Sequence, residues 1–109
     1  MDINLLKNIC ETPGVPGYEQ AVRTLVIKEV EHLVDHVWVD NIGNVFALKK
    51  GVRNPESKKV LVAAHMDEIG FIVSHIDDQG FLRFQCLGGF DPKTLTAQRV
   101  IVHGKKDVI

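Results

Sequence analysis

A histidine and a carboxylate stand two residues apart, at His65 and Asp67, directly after the apolar run of residues 60–64. A continuous apolar run of this length is typical of a strand that is covered on both faces. In open α/β sheets, functional side chains collect where such strands end. Residues two apart in an extended chain share a face, so Asp67 can accept a hydrogen bond from one ring nitrogen of His65. The other ring nitrogen then stays free, as a metal-binding histidine requires.

The same spacing has a plainer interpretation. A histidine buried at the end of a strand, with its ring satisfied by a neighbouring carboxylate, produces the same His-x-Asp pattern. On spacing alone that structural role is favoured over metal binding, and both interpretations stay open.

Glu68 follows Asp67 directly and suggests the paired carboxylates of a glycoside hydrolase. That chemistry needs two carboxyl groups aimed at one bond, about 5 to 9 Å apart. Adjacent residues of an extended chain point to opposite faces, so the pair does not fit this role. We expect Glu68 to be a solvent-facing or ion-paired surface carboxylate.

Two helices precede this segment. Apolar residues at helical spacing predict a short amphipathic helix from Asp2 to Glu11, with Asp2 as its cap. Residues 12–17 (TPGVPG) must break that helix and predict a shaped loop, because proline fixes φ and glycine permits left-handed backbone. An apolar stripe that includes Val22 and Leu33 predicts a second helix from about Tyr18 to Val34.

Strands dominate after His36. The alternation of apolar and polar residues and the turn compositions predict a hairpin, then the central strand of residues 60–64, a second hairpin and a final pair of strands. These strands are expected at 37–39 with 44–48, at 71–76 with 81–87, and at 98–103 with a strand from 107 onward. The fold class is therefore α/β, or α+β within these residues, with a shift to hairpin-like β-structure near Gly70.

Composition excludes several classes of protein. The 109 residues suffice for one domain at most, and 13 Lys and Arg against 14 Asp and Glu give a formal charge of −1, which disfavours nucleic-acid binding. No apolar run approaches the roughly 18 residues of a membrane span, and the start lacks the pattern of a signal peptide. A cytoplasmic location is expected. Cys10 and Cys86 stand far apart, which favours reduced thiols used as small apolar residues.

Four motifs, in this order, resemble the N-terminal part of the M42 metallo-aminopeptidases, the glutamyl and deblocking aminopeptidases that form tetrahedral particles. The motifs are ETPGVPGYE at 11–19, DNIGN at 40–44, AHMDEIGF at 64–71, and GGFDP at 88–92 followed by QRV at 98–100. The resemblance covers essentially the whole chain. It implies that His65 is the first ligand of a site for two divalent metal ions, zinc or cobalt, and that Asp67 orients that histidine. It also implies metal-assisted hydrolysis of peptide substrates.

The resemblance further implies two domains. Residues 1–69 match part of the catalytic α/β domain, and residues 70–109 match the start of an inserted β-barrel-like domain, which carries the contacts of homo-oligomers, with dimers assembling into a dodecamer. The other metal ligands and the general base of the family have no counterpart among these residues. We therefore expect an incomplete chain that is inactive alone. Two alternatives stay open: a non-catalytic assembly or binding module, and, less favoured, an endoglucanase.

Overall fold

The computed structural model describes residues 2–51 and 58–105. Within these ranges two helices come first, followed by four strands that pair into two separate antiparallel sheets of two strands each. The elements are α1 (Ile3–Glu11), α2 (Gln20–Val30), β1 (His36–Val39), β2 (Val45–Leu48), β3 (Gly70–Ile76), β4 (Leu82–Leu87) and a 3-10 turn (Pro92–Thr94). This mixture of helix and strand agrees with the predicted α/β class.

Helix α1 begins as its sequence predicts. The Asp2 carboxylate accepts hydrogen bonds from the backbone N–H groups of Asn4, at 2.9 Å, and Leu5, at 3.4 Å. These two groups have no partner within the helix, so an aspartate at this position stabilises the first turn.

Helix α2 is shorter than predicted, because it ends at Val30 rather than near Val34. Beyond it, the carbonyl oxygen of Leu33 accepts a hydrogen bond from Lys49 Nζ at 2.6 Å, and Asp35 N–H donates to the carbonyl of Leu48 at 2.9 Å. Because these residues bond to Leu48, the last residue of β2, and to Lys49 after it, residues 33–35 do not continue the helix. Leu33 is consequently exposed and does not extend the apolar stripe.

The two hairpins form where the sequence predicts them, β1 with β2 and β3 with β4. Rings lie against one another on each hairpin. Trp38 stacks between His36 and Phe46, with ring centroids 5.3 and 5.0 Å away. Phe71 contacts Phe84 and Phe90, each at 4.7 Å. Cross-strand aromatic pairs of this kind stabilise a two-stranded ribbon that has little else to pack against.

The predicted central strand at residues 60–64 is wrong for the described part of the chain. Those residues form no strand and pair with no other described strand, and Val60, Leu61 and Val62 are 85%, 87% and 89% exposed. An apolar run becomes a buried strand only when other strands and helices cover it. The described residues supply no such cover, and Val22 is their one buried hydrophobic residue.

The final pair of strands is not formed as predicted. In residues 98–103 only Val102 makes a β-bridge, and the strand expected from Asp107 lies outside the described residues. Both cysteines are free thiols, as expected, but both are exposed rather than packed. Neither helix in the described ranges is long and apolar enough to cross a membrane.

Candidate active site

The candidate site is built from two irregular segments, residues 64–69 and the loop at residues 12–17. The first follows the exposed apolar run and leads into β3, and the second joins α1 to α2. Neither has the repeating hydrogen bonds of a helix or a sheet, so contacts between them must hold the site in shape.

His65 and Asp67 lie together, as their spacing predicts. Nδ1 of His65 lies 3.1 Å from Oδ1 of Asp67 and 3.0 Å from the backbone carbonyl oxygen of the same residue. Both neighbours are oxygen acceptors, so a neutral ring carries its proton on Nδ1 and donates it to Asp67. The lone pair of Nε2 is then free to bind a ligand.

Exposure separates the two interpretations of this histidine. The His65 side chain is 84% exposed, against 41% for Asp67. Among the described residues this ring is therefore not buried at the end of a strand, and its contact with Asp67 leaves it accessible. The imidazole of His65 is thus accessible, with Nδ1 hydrogen-bonded to Asp67 and Nε2 open to solvent.

Glu68 is exposed, as expected of a surface carboxylate, and it is also held by the loop. Its Oε1 accepts a hydrogen bond from Gly14 N–H at 3.3 Å, and its own N–H donates to the Gly14 carbonyl at 2.8 Å. Each residue thus donates to and accepts from the other, and we call this reciprocal contact the Gly14–Glu68 clamp. Asp67 contacts His65 and Glu68 contacts the loop, so the two carboxylates have different partners.

Glycine is required at two positions here, at Gly14 within the clamp and at Gly70 two residues after Glu68. A Cβ placed on Gly14 would lie 2.6 Å from Cγ1 of Val22, which is closer than carbon atoms approach in proteins. A Cβ on Gly70 would collide in the same way with the side chain of Val15. The loop therefore lies directly against α2 and against the start of β3, with no space for a side chain at either point.

A cavity of about 500 Å³ opens beside the clamp. Its wall comes from α1, α2, the loop and the site segment, with Cys10, Val26, His65, Asp67 and Glu68 among its residues. An accessible imidazole on the wall of a concave surface is the arrangement expected of a binding site.

The described residues fit one ligand of a metal site and not a complete one. His65 offers a free Nε2 held by a carboxylate, which is the usual form of a metal-binding histidine. No group of three or more His, Cys, Asp or Glu residues in the described ranges could hold a metal ion. Zinc takes three or four protein ligands, so these residues alone do not form a metal centre.

The clamp is the part of the site that the sequence did not reveal. Gly14 and Glu68 are 54 positions apart, and three of the four groups that join them belong to the backbone. The available signal was the loop itself, because two prolines and two glycines in six residues indicate a fixed shape, and a fixed loop needs a partner.

Three comparisons with known proteins agree on a family. The sequence profile of the M42 glutamyl aminopeptidases matches residues 43–109. The lysyl aminopeptidase of Pyrococcus furiosus is 46% identical over 101 residues, which cover 92% of this chain and 28% of that protein. The solved TET aminopeptidase of a marine-sediment Thaumarchaeota archaeon is 38% identical with a TM-score of 0.82, over 91% of this chain and 27% of that one.

A second solved relative carries a different description. A Thermotoga maritima protein described as an endoglucanase is 47% identical with a TM-score of 0.75, over 83% of this chain and 28% of that one. The chain thus spans less than a third of the length of each of these relatives.

Proposed function

Because this chain belongs to the M42 glutamyl aminopeptidase family, we propose that it is the N-terminal part of a metal-dependent aminopeptidase, which releases N-terminal residues from peptides. The M42 aminopeptidases depend on metal ions. The observation that carries the proposal is the exposed His65 ring on the cavity wall, with Nδ1 held by Asp67 and Nε2 free.

His65 is proposed to hold one of two divalent ions, zinc or cobalt, through Nε2. Such ions supply Lewis acidity, which polarises the carbonyl of a peptide bond and activates the attacking water. The chain's own part is to present one lone pair in a fixed direction. Asp67 does this by accepting hydrogen bonds from Nδ1–H through two oxygens, which fixes the tautomer and makes the ring a better ligand.

Replacement of the proposed ligand is the direct test. In the protein at its native length, His65→Ala should lower kcat/KM for aminoacyl p-nitroanilides by at least about a hundredfold, since a metal site that loses a ligand loses most of its metal. Bound zinc should fall in parallel, by elemental analysis. His32→Ala is the matched control, because His32 is also exposed and lies outside the cavity. Equal activity of the His65 and His32 variants would exclude the proposed role.

We also propose that the 109-residue chain alone does not catalyse hydrolysis, since its described residues supply one ligand. Incubation with Zn²⁺ or Co²⁺ and an aminoacyl p-nitroanilide should give no turnover above buffer. Turnover would contradict this proposal and would reopen the question of where the other ligands lie.

The endoglucanase alternative has a separate test. The Asp67 and Glu68 carboxylates have different hydrogen-bond partners, His65 and Gly14, which does not favour their acting as a catalytic pair. We therefore expect no release of reducing sugar from carboxymethylcellulose by the protein that cleaves aminoacyl p-nitroanilides. Glucan cleavage that is lost in Asp67→Ala would favour the endoglucanase instead.

Residues 70–109 are proposed to begin an inserted β-barrel-like domain that joins copies of the protein in the cytoplasm, while 1–69 belong to the catalytic domain. The β3–β4 hairpin supports this, because Ile76, Phe81 and Phe84 are 60%, 64% and 52% exposed. A TET aminopeptidase is also among the structural neighbours.

Light scattering of the native-length protein should show an oligomer, and Phe84→Glu should dissociate it. A monomeric protein that hydrolyses peptides would exclude the proposed oligomer and leave the proposed activity standing. An oligomer without peptidase activity would favour the non-catalytic assembly module.

A further inference from the structure

Glu68 is the point at which the site segment is fixed to the rest of the described chain. Its side chain and its backbone N–H both bind Gly14, so residue 68 is held at two points against one residue of the loop. The loop itself packs closely against Val22 of α2 and against Gly70 at the start of β3. Residue 68 therefore has a defined position although it lies in a segment without regular structure.

Asp67 takes its position from this neighbour. No other hydrogen bond in the described ranges joins residues 65–68 to a distant part of the chain, and the other hydrogen bonds of the segment are those between Asp67 and His65. Asp67 presents two oxygens to one ring nitrogen, its carboxylate and its carbonyl, and both directions depend on the backbone at 67 and 68. An unfixed backbone there would let the carboxylate turn into solvent, since 41% of that side chain is already exposed.

We propose that Glu68 is a positioning residue: through the Gly14–Glu68 clamp it holds Asp67 in place, and through Asp67 it keeps the His65 proton on Nδ1 and the Nε2 lone pair directed outward. The importance of that lone pair for hydrolysis rests on the function proposed above. The effect of Glu68 on the tautomer of His65 does not.

Two variants separate the hydrogen bond from the charge. Glu68→Gln keeps an oxygen acceptor for Gly14 N–H, and Glu68→Ala removes it. Glu31→Ala is the matched control, because Glu31 is an exposed carboxylate at the end of α2, where its backbone N–H bonds to Ile27 of the same helix. Each variant is made in the 109-residue chain for NMR and in the native-length protein for kinetics.

The first measurement follows the clamp and the ring without any substrate. In Glu68→Ala, the Gly14 amide should exchange with solvent about fivefold to tenfold faster, as expected for the loss of one hydrogen bond. The ¹⁵N shifts of the His65 ring, in mildly alkaline buffer, should move from the Nδ1–H form towards a mixture of tautomers. Glu68→Gln and Glu31→Ala should leave the His65 signals of the parent chain in place.

The second measurement follows the reaction. In the native-length protein, Glu68→Ala should lower kcat about tenfold with little change in KM, within the usual range for residues that support a metal ligand. Glu68→Gln should retain at least half of the kcat. Loss of zinc affinity, titrated with Zn²⁺ alone, should accompany the kcat effect.

Unchanged His65 signals in Glu68→Ala would overturn the inference, whether or not Gly14 exchanges faster. Should Glu68→Ala fail to fold, Glu68→Asp takes its place, because the shorter carboxylate falls short of Gly14. A shift of tautomer in a protein that does not hydrolyse peptides would support the positioning role and reject the proposed function. Full hydrolysis with an unchanged tautomer would support the proposed function and reject the positioning role.

Discussion

The two hairpins share a turn and differ in what surrounds it. In the first, Oδ1 of Asp40 accepts from the N–H groups of Ile42 and Asn44, and in the second, Oδ1 of Asp77 accepts from those of Gln79 and Phe81. A glycine with positive φ completes each turn, at Gly43 and Gly80. The local solution is thus the same, an aspartate that caps the turn and a glycine that closes it.

The differences lie beyond the turn. Gly43 lies against the guanidinium of Arg23, which forms an ion pair with Glu19 at 3.6 Å. By contrast, no atom of the described residues lies within 4 Å of a Cβ placed on Gly80. The comparison shows that one local sequence pattern forms the same hairpin with or without a helix beside it. Helix contacts add to the first hairpin and do not create it.

Replacement of either turn glycine, Gly43 or Gly80, by alanine should have the largest effect on stability. Left-handed backbone costs a residue with a Cβ about 1–2 kcal/mol, so Gly80→Ala should lower the free energy of unfolding by that amount. Gly43→Ala should cost more, because its Cβ would also displace the Arg23 guanidinium. Urea unfolding measures both. In an Arg23→Ala background the two glycine variants should cost the same, and a persistent difference would show that Arg23 is not its source.

Alanine at the two aspartates should have a smaller effect. Asp40→Ala removes two backbone contacts and a third from the Asn44 side chain, at 2.9 Å, whereas Asp77→Ala removes two backbone contacts and a distant ion pair with Arg83, at 3.6 Å. Both should lower the Tm by a few degrees, with the larger fall for Asp40→Ala. Thermal melts of the two variants give the order. The reverse order would mean that Arg83 contributes more than Asn44.

Acid should weaken the first turn by the smallest amount. The hydrogen bond from the Asn44 side chain, with help from backbone N–H groups, holds the pKa of Asp40 below its ordinary value of 3.8. A lowered pKa means that this stabilisation is complete above the ordinary value and is lost as the pH falls through the folded value. The Ile42 and Asn44 amide signals should therefore titrate below about pH 4. In Asn44→Ala the midpoint should rise, and an unchanged midpoint would exclude the side-chain contact.

The sequence predicted the parts of this fold that depend on near neighbours. The Asp2 cap, both hairpin turns and the His65–Asp67 contact join residues within four positions of one another, and each has a recognisable pattern of residue types. Such contacts follow from local backbone geometry, so no knowledge of distant residues is needed.

The predictions that failed depend on distant residues. The end of α2 is set by Lys49 and Leu48, and the apolar run at 60–64 would need covering strands that the described residues do not supply. The Gly14–Glu68 clamp was missed for the same reason, since its partners are largely backbone groups with no pattern of their own. The exposure of His65 has the same origin, because the favoured interpretation as a buried histidine depended on a covered strand before it.

The clamp partners lie far apart in the sequence, and this affects the order in which contacts form during folding. The hairpin turns close over four residues, whereas Gly14 and Glu68 must meet across 54. The entropy of closing a loop grows with its length, and contacts between near neighbours form first when a chain folds. We therefore expect the two hairpins to form early and the loop to dock last, so that His65 acquires its final orientation only in the closing step of folding.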